Sequence, residues 1–434
     1  MKYYCIGIKG AGMSTLANIL SDLGNDVSGY DDSTYYKYTE EGLNKRNIKI
    51  YGPNNICNLD KDTIVTYSKA FSLDHPEIKR VKDLGLTIKE YNSVVGDITK
   101  MFDTIAISGT HGKTTTSLLL SNILSNTIGC NYFVGDGTGY ANKDNKLFVI
   151  EADEFNRHFL AYYPKIAVIT NIELDHTECY RDIDDIIQTF KTFSNKAELI
   201  VACGDDKNIR KINFEKEVIY YGFNENNDVV AKNIILDENG SSFDVYINNQ
   251  LFDSYKLPLF GKHMILNALS CIVIANKYSV DKGLIKKYLN EFKGAKRRFK
   301  EDIINGYTII DDYAHHPTEI EATIDAARQK YKDKKIIAIF LPNTYSRTEA
   351  LKDDFIRVLK KADKAYIMDI HSDREDQSDY PQVSSDMLRK EVPNSERVSI
   401  DDVDKLLNHK DDVLCFMSCG NIYLILEEFK KRIS

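Results

Sequence analysis

No uninterrupted apolar run in this chain approaches the roughly 18 residues that a membrane-spanning helix needs. Its opening stretch, MKYYCIGIKGAGM, reads as a strand leading into a glycine turn. It lacks the apolar core and small-residue cleavage site of a secretory signal. An excess of basic residues is also absent. The formal charge of −8 argues against general nucleic-acid binding, where affinity comes mainly from neutralised phosphates. The eight cysteines include no C-x-x-C pair, and their closest spacing is Cys415 to Cys419. Scattered reduced thiols suit a reducing cytosol. There is no repeat at solenoid periods and no low-complexity tract. What remains is a 434-residue chain, 43% hydrophobic and 28% charged, with a globular composition and too long for one ordinary domain. The expectation is a cytoplasmic protein of two or three domains with no nucleic-acid and no membrane partner; composition does not address its oligomeric state.

Three blocks of alternating strand and helix signals fill that length. In the first, YYCIGI (3–8) enters KGAGM and then a helical stretch, STLANILSDLG, whose Gly24 suits a helix C-cap. NDVSGYDD (25–32) reads as a second strand ending in two aspartates. Strand, glycine turn, helix, strand and acidic end begin a Rossmann-like unit, which TIVTY (63–67) and LTIKEY (86–91) continue. The second block opens near Met101 with DTIAISGTHGKTTT. LFVIEADE (147–154), IAVITNIELDH (166–176) and LIVACGDD (199–206) are apolar runs with polar carboxyl ends, the pattern of buried parallel strands. From about 218 to 257 short alternating strands suggest an antiparallel insertion, and a helix through NALSCIVIANKY follows. The third block starts at KGAKRRFK (293–300) and carries YTIIDDYAHHP, KKIIAIFLPN, KAYIMDI and VLCFMSCGN, separated by helical stretches such as TEIEATIDAARQKY. The expected fold class is α/β in three domains, 1–100, 101–295 and 296–434. These are a Rossmann-like N-terminal domain, a P-loop-type central domain with a small antiparallel insertion, and a Rossmann-like C-terminal domain.

The sharpest local pattern is G-x-x-G-K-T at Gly109, Thr110, His111, Gly112, Lys113 and Thr114. The longer G-x-x-x-x-G-K-[ST] spacing fails, because Ile107 stands where its first glycine belongs. The physics of a phosphate loop is nevertheless present: a buried strand, a flexible turn, a helix N-terminus with free N–H groups, one lysine, and one hydroxyl able to hold Mg²⁺. A capped helix after a polar turn would explain the threonines but not the Gly-Lys-Thr placement. Glu151 and His176 each end a buried run. There they either serve Mg²⁺, directly or through water, or are an ordinary strand-end carboxylate and a structural histidine. GIKGAGM is G-x-x-G-x-G rather than G-x-G-x-x-G; tight strand–helix packing and a diphosphate site both account for it. Two candidate phosphate loops in two domains fit an ATP-driven enzyme acting on a second nucleotide-linked or phosphorylated substrate.

GIKGAGMS, AISGTHGKTTT, EADEFNRHFL, TNIELDH, GAKRRF and DDYAHHPTEI fall in the order seen in the Mur ligases, and the chain resembles that family from Tyr3 to about Ile422. The short loop form is the family's own. The resemblance implies an ATP-dependent, amide-forming ligase. In such enzymes the γ-phosphoryl group of ATP moves to a substrate carboxylate, and an amine attacks the acyl phosphate. SGTHGKTTT with DDYAHHPTEI is most similar to members joining L-alanine to the lactyl carboxylate of UDP-N-acetylmuramate; the alternative is a recycling ligase that adds a ready-made peptide to the same sugar. Carried over by position, Gly109, Thr110, His111, Gly112 and Thr115 belong to the ATP loop. Lys113 contacts the β/γ-phosphates, while Thr114, Glu151 and His176 serve Mg²⁺; Lys113, Glu151 and His176 are the implied catalytic set. Asn267, Arg298 and Asp312 complete the ATP site, although KRRF without the family reads as a solvated hinge run. Tyr313, His315 and Arg347 line the amino-acid pocket, where a guanidinium grips a carboxylate bidentately. Gly10, Gly12, Met13 and Ser14 receive the UDP diphosphate. The three domains thereby become UDP-sugar-, ATP- and amino-acid-binding.

The chain departs from the family pattern at Asn343, where a histidine is usual, at Met264, which replaces an asparagine, and at Thr15, where a smaller residue is usual. Neither Lys191 nor Lys196 is identifiable as the lysine that some relatives carbamoylate. Two readings from other classes have less support. A scaffold that has lost turnover does not explain the intact Lys113, Thr114, Glu151, His176, Asp312 and His315. An NAD-dependent oxidoreductase rests on the first glycine turn alone.

Overall fold

In a computed structural model, residues 1–372 and 374–434 are described. Contacts divide the chain into two units. The first comprises 1–173, 184–229 and 269–288, and the second 174–183, 230–268 and 289–434. Among the described residues no helix is long and apolar enough to cross a membrane.

The first unit begins with a five-stranded parallel sheet in the order Lys49–Tyr51, Asp26–Tyr30, Lys2–Ile6, Thr63–Tyr67, Thr87–Glu90. The first strand is central, so Tyr4, Cys5 and Ile6 are fully buried. Tyr4 keeps its hydroxyl satisfied inside by donating to Glu77 at 2.7 Å, and Glu77 in turn accepts from Arg80. The helix after the glycine turn runs Ala11–Asp22, three residues ahead of the expected stretch that begins at Ser14. It ends as the sequence suggests, with Gly24 at φ +78° donating its N–H to Ser21.

The second sheet of this unit runs Glu217–Gly222, Leu199–Cys203, Ile166–Ile169, Asp103–Ser108, Leu147–Glu151, Cys130–Phe133, Gly139–Tyr140. All neighbours are parallel except the last pair. Its central strands are continuous apolar runs because both faces are covered. Glu217–Gly222 corrects the expectation that antiparallel structure begins near 218, because it pairs in parallel with Leu199–Cys203. It is only half-buried, and alternation in sequence reports exposure, not strand direction. Phe159 anchors the segment after Leu147–Glu151, stacking on Phe193 at 4.4 Å and meeting Phe190 edge-on at 5.2 Å.

The second unit contains the strand Val229–Asp237 from its second residue on, and the strands Gly240–Ile247 and Gln250–Leu257, which pair antiparallel. This is the insertion the alternating pattern predicts, entered later than expected. The division between units falls inside the helix Lys262–Lys277. A six-stranded sheet follows in the order Lys300–Ile304, Tyr307–Asp312, Val413–Met417, Ile336–Phe340, Lys364–Ile367, Ser395–Glu396, antiparallel only at its first pair. The edge strand Lys300–Ile304 is not apparent from the apolar runs. Its signal is Asn305-Gly306, a two-residue turn with φ of +48° and +88°, as a twisted hairpin requires. The four buried strands expected in the third block are its interior.

Phe159→Ala removes a fully buried ring from a stack of three and is expected to cost about 3–5 kcal/mol. Urea unfolding followed on a probe in the first unit checks this.

Candidate active site

The strand Asp103–Ser108 ends at a turn that only glycine can make at two points. Gly109 sits at φ +138°, and a Cβ there would lie 2.0 Å from Thr170 Oγ1. Gly112, at φ +82°, is the N-cap of the helix Lys113–Ser125 and offers no side-chain cap to its first N–H groups. Between the glycines the backbone is clamped to the end of the neighbouring strand. His111 N donates to Asn171 Oδ1 at 2.8 Å, while Thr170 Oγ1 and Asn171 Nδ2 donate to His111 O at 2.6 and 3.0 Å. Thr110 N donates to Asn171 O, and Thr110 Oγ1 accepts from Glu173 N at 2.9 Å.

Lys113 folds back across this turn. Its Nζ donates to Gly109 O at 2.6 Å, to Thr110 O at 3.1 Å and to Glu154 Oε1 at 2.8 Å. Burial works against its charge, but Glu154, then Asp153 and Glu151, outweigh burial and hold the amine above the ordinary lysine value. One helical position on, Thr114 Oγ1 donates to Glu151 Oε1 at 2.8 Å, and Gly135 N donates to Glu151 Oε2 at 2.7 Å. Burial pushes the Glu151 carboxyl up, against the pull of Lys113 and these two donors. A hydroxyl and a carboxylate in contact at a helix N-terminus are hard oxygen donors of the kind Mg²⁺ takes. Thr115 points into the core and is buried. Glu154 was not singled out in the sequence, although EADE adds two carboxylates, Asp153 and Glu154, just past the strand end at Glu151.

At the other glycine turn, Gly10 N donates to Gly7 O at 3.0 Å, and a Cβ on Gly12 would meet the Tyr91 hydroxyl at 2.7 Å. Met13 and Ser14 are buried, Ser14 Oγ donating to Ala11 O at 2.9 Å, so this turn presents backbone rather than side chains. Asp31, ending the second strand, accepts from Lys9 N at 2.9 Å and fixes the turn. Thr15 faces Gly139: a Cβ there would lie 2.5 Å from the threonine methyl, so the larger residue is accommodated by a glycine opposite. Lys191 pairs with Glu215 at 3.7 Å, and Lys196 donates to Leu160 O.

The second unit has its own cluster at the carboxyl end of Tyr307–Asp312. Asp312 accepts from Phe299 N at 2.8 Å and from Ala314 N at 2.9 Å, and burial pushes its carboxyl up to about 6 in spite of Arg298 and these donors. Arg298 donates to Glu319 Oε1 at 3.0 Å, while Glu319 Oε2 accepts from His315 N at 3.0 Å and lies 3.1 Å from His315 Nδ1. Glu319 also closes the capping box of the helix Pro317–Lys330. The Tyr313 ring lies 5.3 and 5.2 Å from the guanidinium carbons of Arg297 and Arg298. Arg347 is buried and donates through Nε and Nη2 to Asp175 Oδ1 at 3.0 and 2.7 Å. Burial would raise the Asp175 carboxyl, but Arg347 and then His176 hold it well below the usual carboxylate range. His176 itself lies in this unit at φ +52°, its ring 3.9 Å from Glu178. Asn267 is buried with Nδ2 4.0 Å from Met264 Sδ. Lys113, Thr114 and Glu151 are thus gathered in the first unit, and Arg298, Asp312, Tyr313, His315 and Arg347 belong to the second. The carboxylates Asp175 and Glu319 escaped the sequence reading; the H-x-x-E spacing before an apolar helix was the available signal for Glu319.

These features recur along the chain in an order that family comparison recognises. Residues 2–103 match the Mur ligase family catalytic domain, 107–275 the Mur ligase middle domain, and 297–420 the Mur ligase glutamate ligase domain. The chain belongs to the Mur ligase family. It is 42% identical over 421 residues to the UDP-N-acetylmuramate–L-alanine ligase of Lacticaseibacillus paracasei, covering 97% of this chain and 96% of that protein. The ligase of the same name from Ligilactobacillus salivarius is 44% identical over 422 residues, covering 97% and 94%. Among solved structures, the UDP-N-acetylmuramate-alanine ligase MurC of Thermotoga maritima matches with a TM-score of 0.79 and 25% identity, covering 100% of this chain and 99% of that one. A murein peptide ligase of Psychrobacter arcticus shares the fold, with a TM-score of 0.70 and 22% identity over 100% and 98% of the two chains.

Gly109→Ala combines a left-handed backbone with a clash against Thr170, a strain of order 1–3 kcal/mol. It is expected to weaken binding of an ATP analogue by about tenfold or more, as measured by calorimetry.

Proposed function

We propose that this chain is an ATP-dependent ligase that joins L-alanine to the lactyl carboxylate of UDP-N-acetylmuramate, yielding ADP and phosphate, in the cytoplasmic synthesis of peptidoglycan precursors. The observation that carries this reading is the 42–44% identity, along 97% of the chain, to ligases named for that reaction. The recycling alternative is less well supported, since the fold is nearer to the alanine ligase of T. maritima than to the murein peptide ligase.

A carboxylate resists amine attack because its leaving group would be oxide. Attack of a carboxylate oxygen on the γ-phosphorus of ATP breaks the bond to ADP and forms an acyl phosphate. The amine then attacks the carbonyl carbon, and the tetrahedral adduct loses phosphate and a proton to leave the amide. Positioning and charge neutralisation supply most of such catalysis. Lys113 suits that task because its carboxylate neighbours keep it protonated. In this reading the amine turns from the loop carbonyls to the β/γ-phosphates, and the free N–H groups of Gly112 and the following turn receive phosphate oxygens. Thr114 and Glu151 would hold Mg²⁺, with His176 as a further candidate; the ion supplies charge neutralisation on the phosphates. Asn267, Arg298 and Asp312 are assigned to the nucleotide, Tyr313, His315 and Arg347 to the amino acid, and the backbone of Gly10 and Gly12 to the UDP diphosphate.

Phosphate release with ATP, Mg²⁺ and UDP-N-acetylmuramate is expected to depend on L-alanine and to give a product of the matching mass. Release only with a peptide would overturn the acceptor and keep the chemistry; no release with any acceptor would overturn the ligase reading. Lys113→Ala is expected to lower kcat by about 10²–10³-fold. Pairing it with Glu154→Gln avoids leaving a buried carboxylate without its cation.

A further inference from the structure

The turn between the central strand Lys2–Ile6 and the helix Ala11–Asp22 contains a lysine that the sequence reading passed over. Asp26–Tyr30 and Thr63–Tyr67 lie on opposite sides of Lys2–Ile6, so the turn occupies the switch point where open α/β sheets take their ligands. Gly10, the N-cap, offers no side chain to the first N–H groups of the helix. Lys9, one residue earlier, is bonded through all three of its polar atoms to a single segment, residues 31–40, which leaves the carboxyl end of Asp26–Tyr30. Its N–H donates to Asp31 Oδ2 at 2.9 Å, and its carbonyl accepts from Thr39 Oγ1 at 2.7 Å. Its Nζ donates to Ser33 O at 2.9 Å and to Tyr35 O at 3.1 Å, and lies 3.0 Å from Glu40 Oε1. Lys9 is only 8% exposed, whereas Thr34, Tyr35, Tyr36, Lys37 and Tyr38 all face solvent. The segment is a strap pinned from its buried side by one ammonium. The arrangement repeats that of Lys113, an ammonium held by two carbonyls and a glutamate beside a glycine turn. Lys113 grips its own turn; Lys9 grips the strap.

We propose that Lys9 is a positioning residue of the UDP-sugar site: its ammonium fastens the strap beside the glycine turn, so that turn and strap form one preformed wall for the UDP end of the substrate. This role rests on the assignment of the UDP diphosphate to Gly10 and Gly12. The peptide joining Lys9 to Gly10 is planar, so the bond from Thr39 to the Lys9 carbonyl also fixes the direction of the Gly10 N–H, which donates to Gly7 O at 3.0 Å. Without the ammonium, the carbonyls of Ser33 and Tyr35 and the carboxylate of Glu40 lose their shared donor. The strap then samples other conformations, and the UDP-sugar must order it again on binding. That penalty falls on the UDP-sugar, because ATP and L-alanine are assigned to other loops.

The test is calorimetry with UDP-N-acetylmuramate, together with steady-state kinetics, on the whole protein and three variants. These are Lys9→Met, Lys9→Met paired with Glu40→Gln so that no carboxylate is left without its cation, and Thr39→Val. Lys9→Met is expected to weaken UDP-N-acetylmuramate binding and raise its KM by about tenfold or more, while kcat and the KM values for ATP and L-alanine stay within about twofold. The other two variants should shift in the same direction. Trypsin cleavage after Lys37, read by peptide mass spectrometry, should be faster in Lys9→Met, and UDP-N-acetylmuramate should slow it in the parent protein. Unchanged cleavage would overturn the fastening. A fall in kcat with all three KM values raised together would overturn the positioning role in favour of general loosening. Thr39 makes no side-chain cap to the helix Glu40–Lys45, so Thr39→Val carries the test if Lys9→Met fails to fold, and parent-like binding by it would then overturn the role. A parent protein that binds no UDP-N-acetylmuramate would overturn the diphosphate assignment and this role with it. A parent that binds it while the variants bind it equally would overturn the role of Lys9 alone.

Discussion

The contact between Lys113 and Glu154 sets the terms for the first unit. A buried ammonium needs compensation, and it finds it in one carboxylate and two loop carbonyls. The same contacts that neutralise the lysine hold the glycine turn closed over its own helix N-terminus. That geometry in turn depends on Gly109 and on the clamp from Thr170 and Asn171, because any side chain at 109 would occupy the place of the Thr170 hydroxyl. Glu151 repeats the logic one strand over, its two oxygens taken by Thr114 and by the Gly135 N–H.

The second unit uses carboxylates in the same way. Asp175 holds Arg347, and Glu319 holds Arg298 and the His315 region. Each cation assigned to an anionic ligand is thus prepaired with an internal anion, which fixes its direction and keeps it charged before any ligand arrives. The low position of the Asp175 carboxyl and the raised position of Asp312 show the two outcomes of burial. At Asp175 the charge of Arg347 outweighs burial, whereas at Asp312 burial outweighs both the charge of Arg298 and two backbone N–H donors.

Much of this was legible from sequence. Three α/β blocks, the buried parallel strands, the strand–glycine turn–helix at Gly109–Thr114 and the family itself follow from local patterns: apolar runs, glycines before a helix, and motif order. These are short-range properties, since a glycine at φ +138° or a strand buried on both faces restricts residue choice at that position alone. The direction of Glu217–Gly222 was misread, because exposure writes the alternation while the partner strand sets direction. Asn305-Gly306 carried the missed hairpin in two residues. What only the tertiary structure decided is pairing: that Glu154 meets Lys113, that Asp175 meets Arg347 across 172 positions, and that Glu319 meets Arg298. Charge pairing depends on distances between strand ends, and those distances exist only once the sheets have formed.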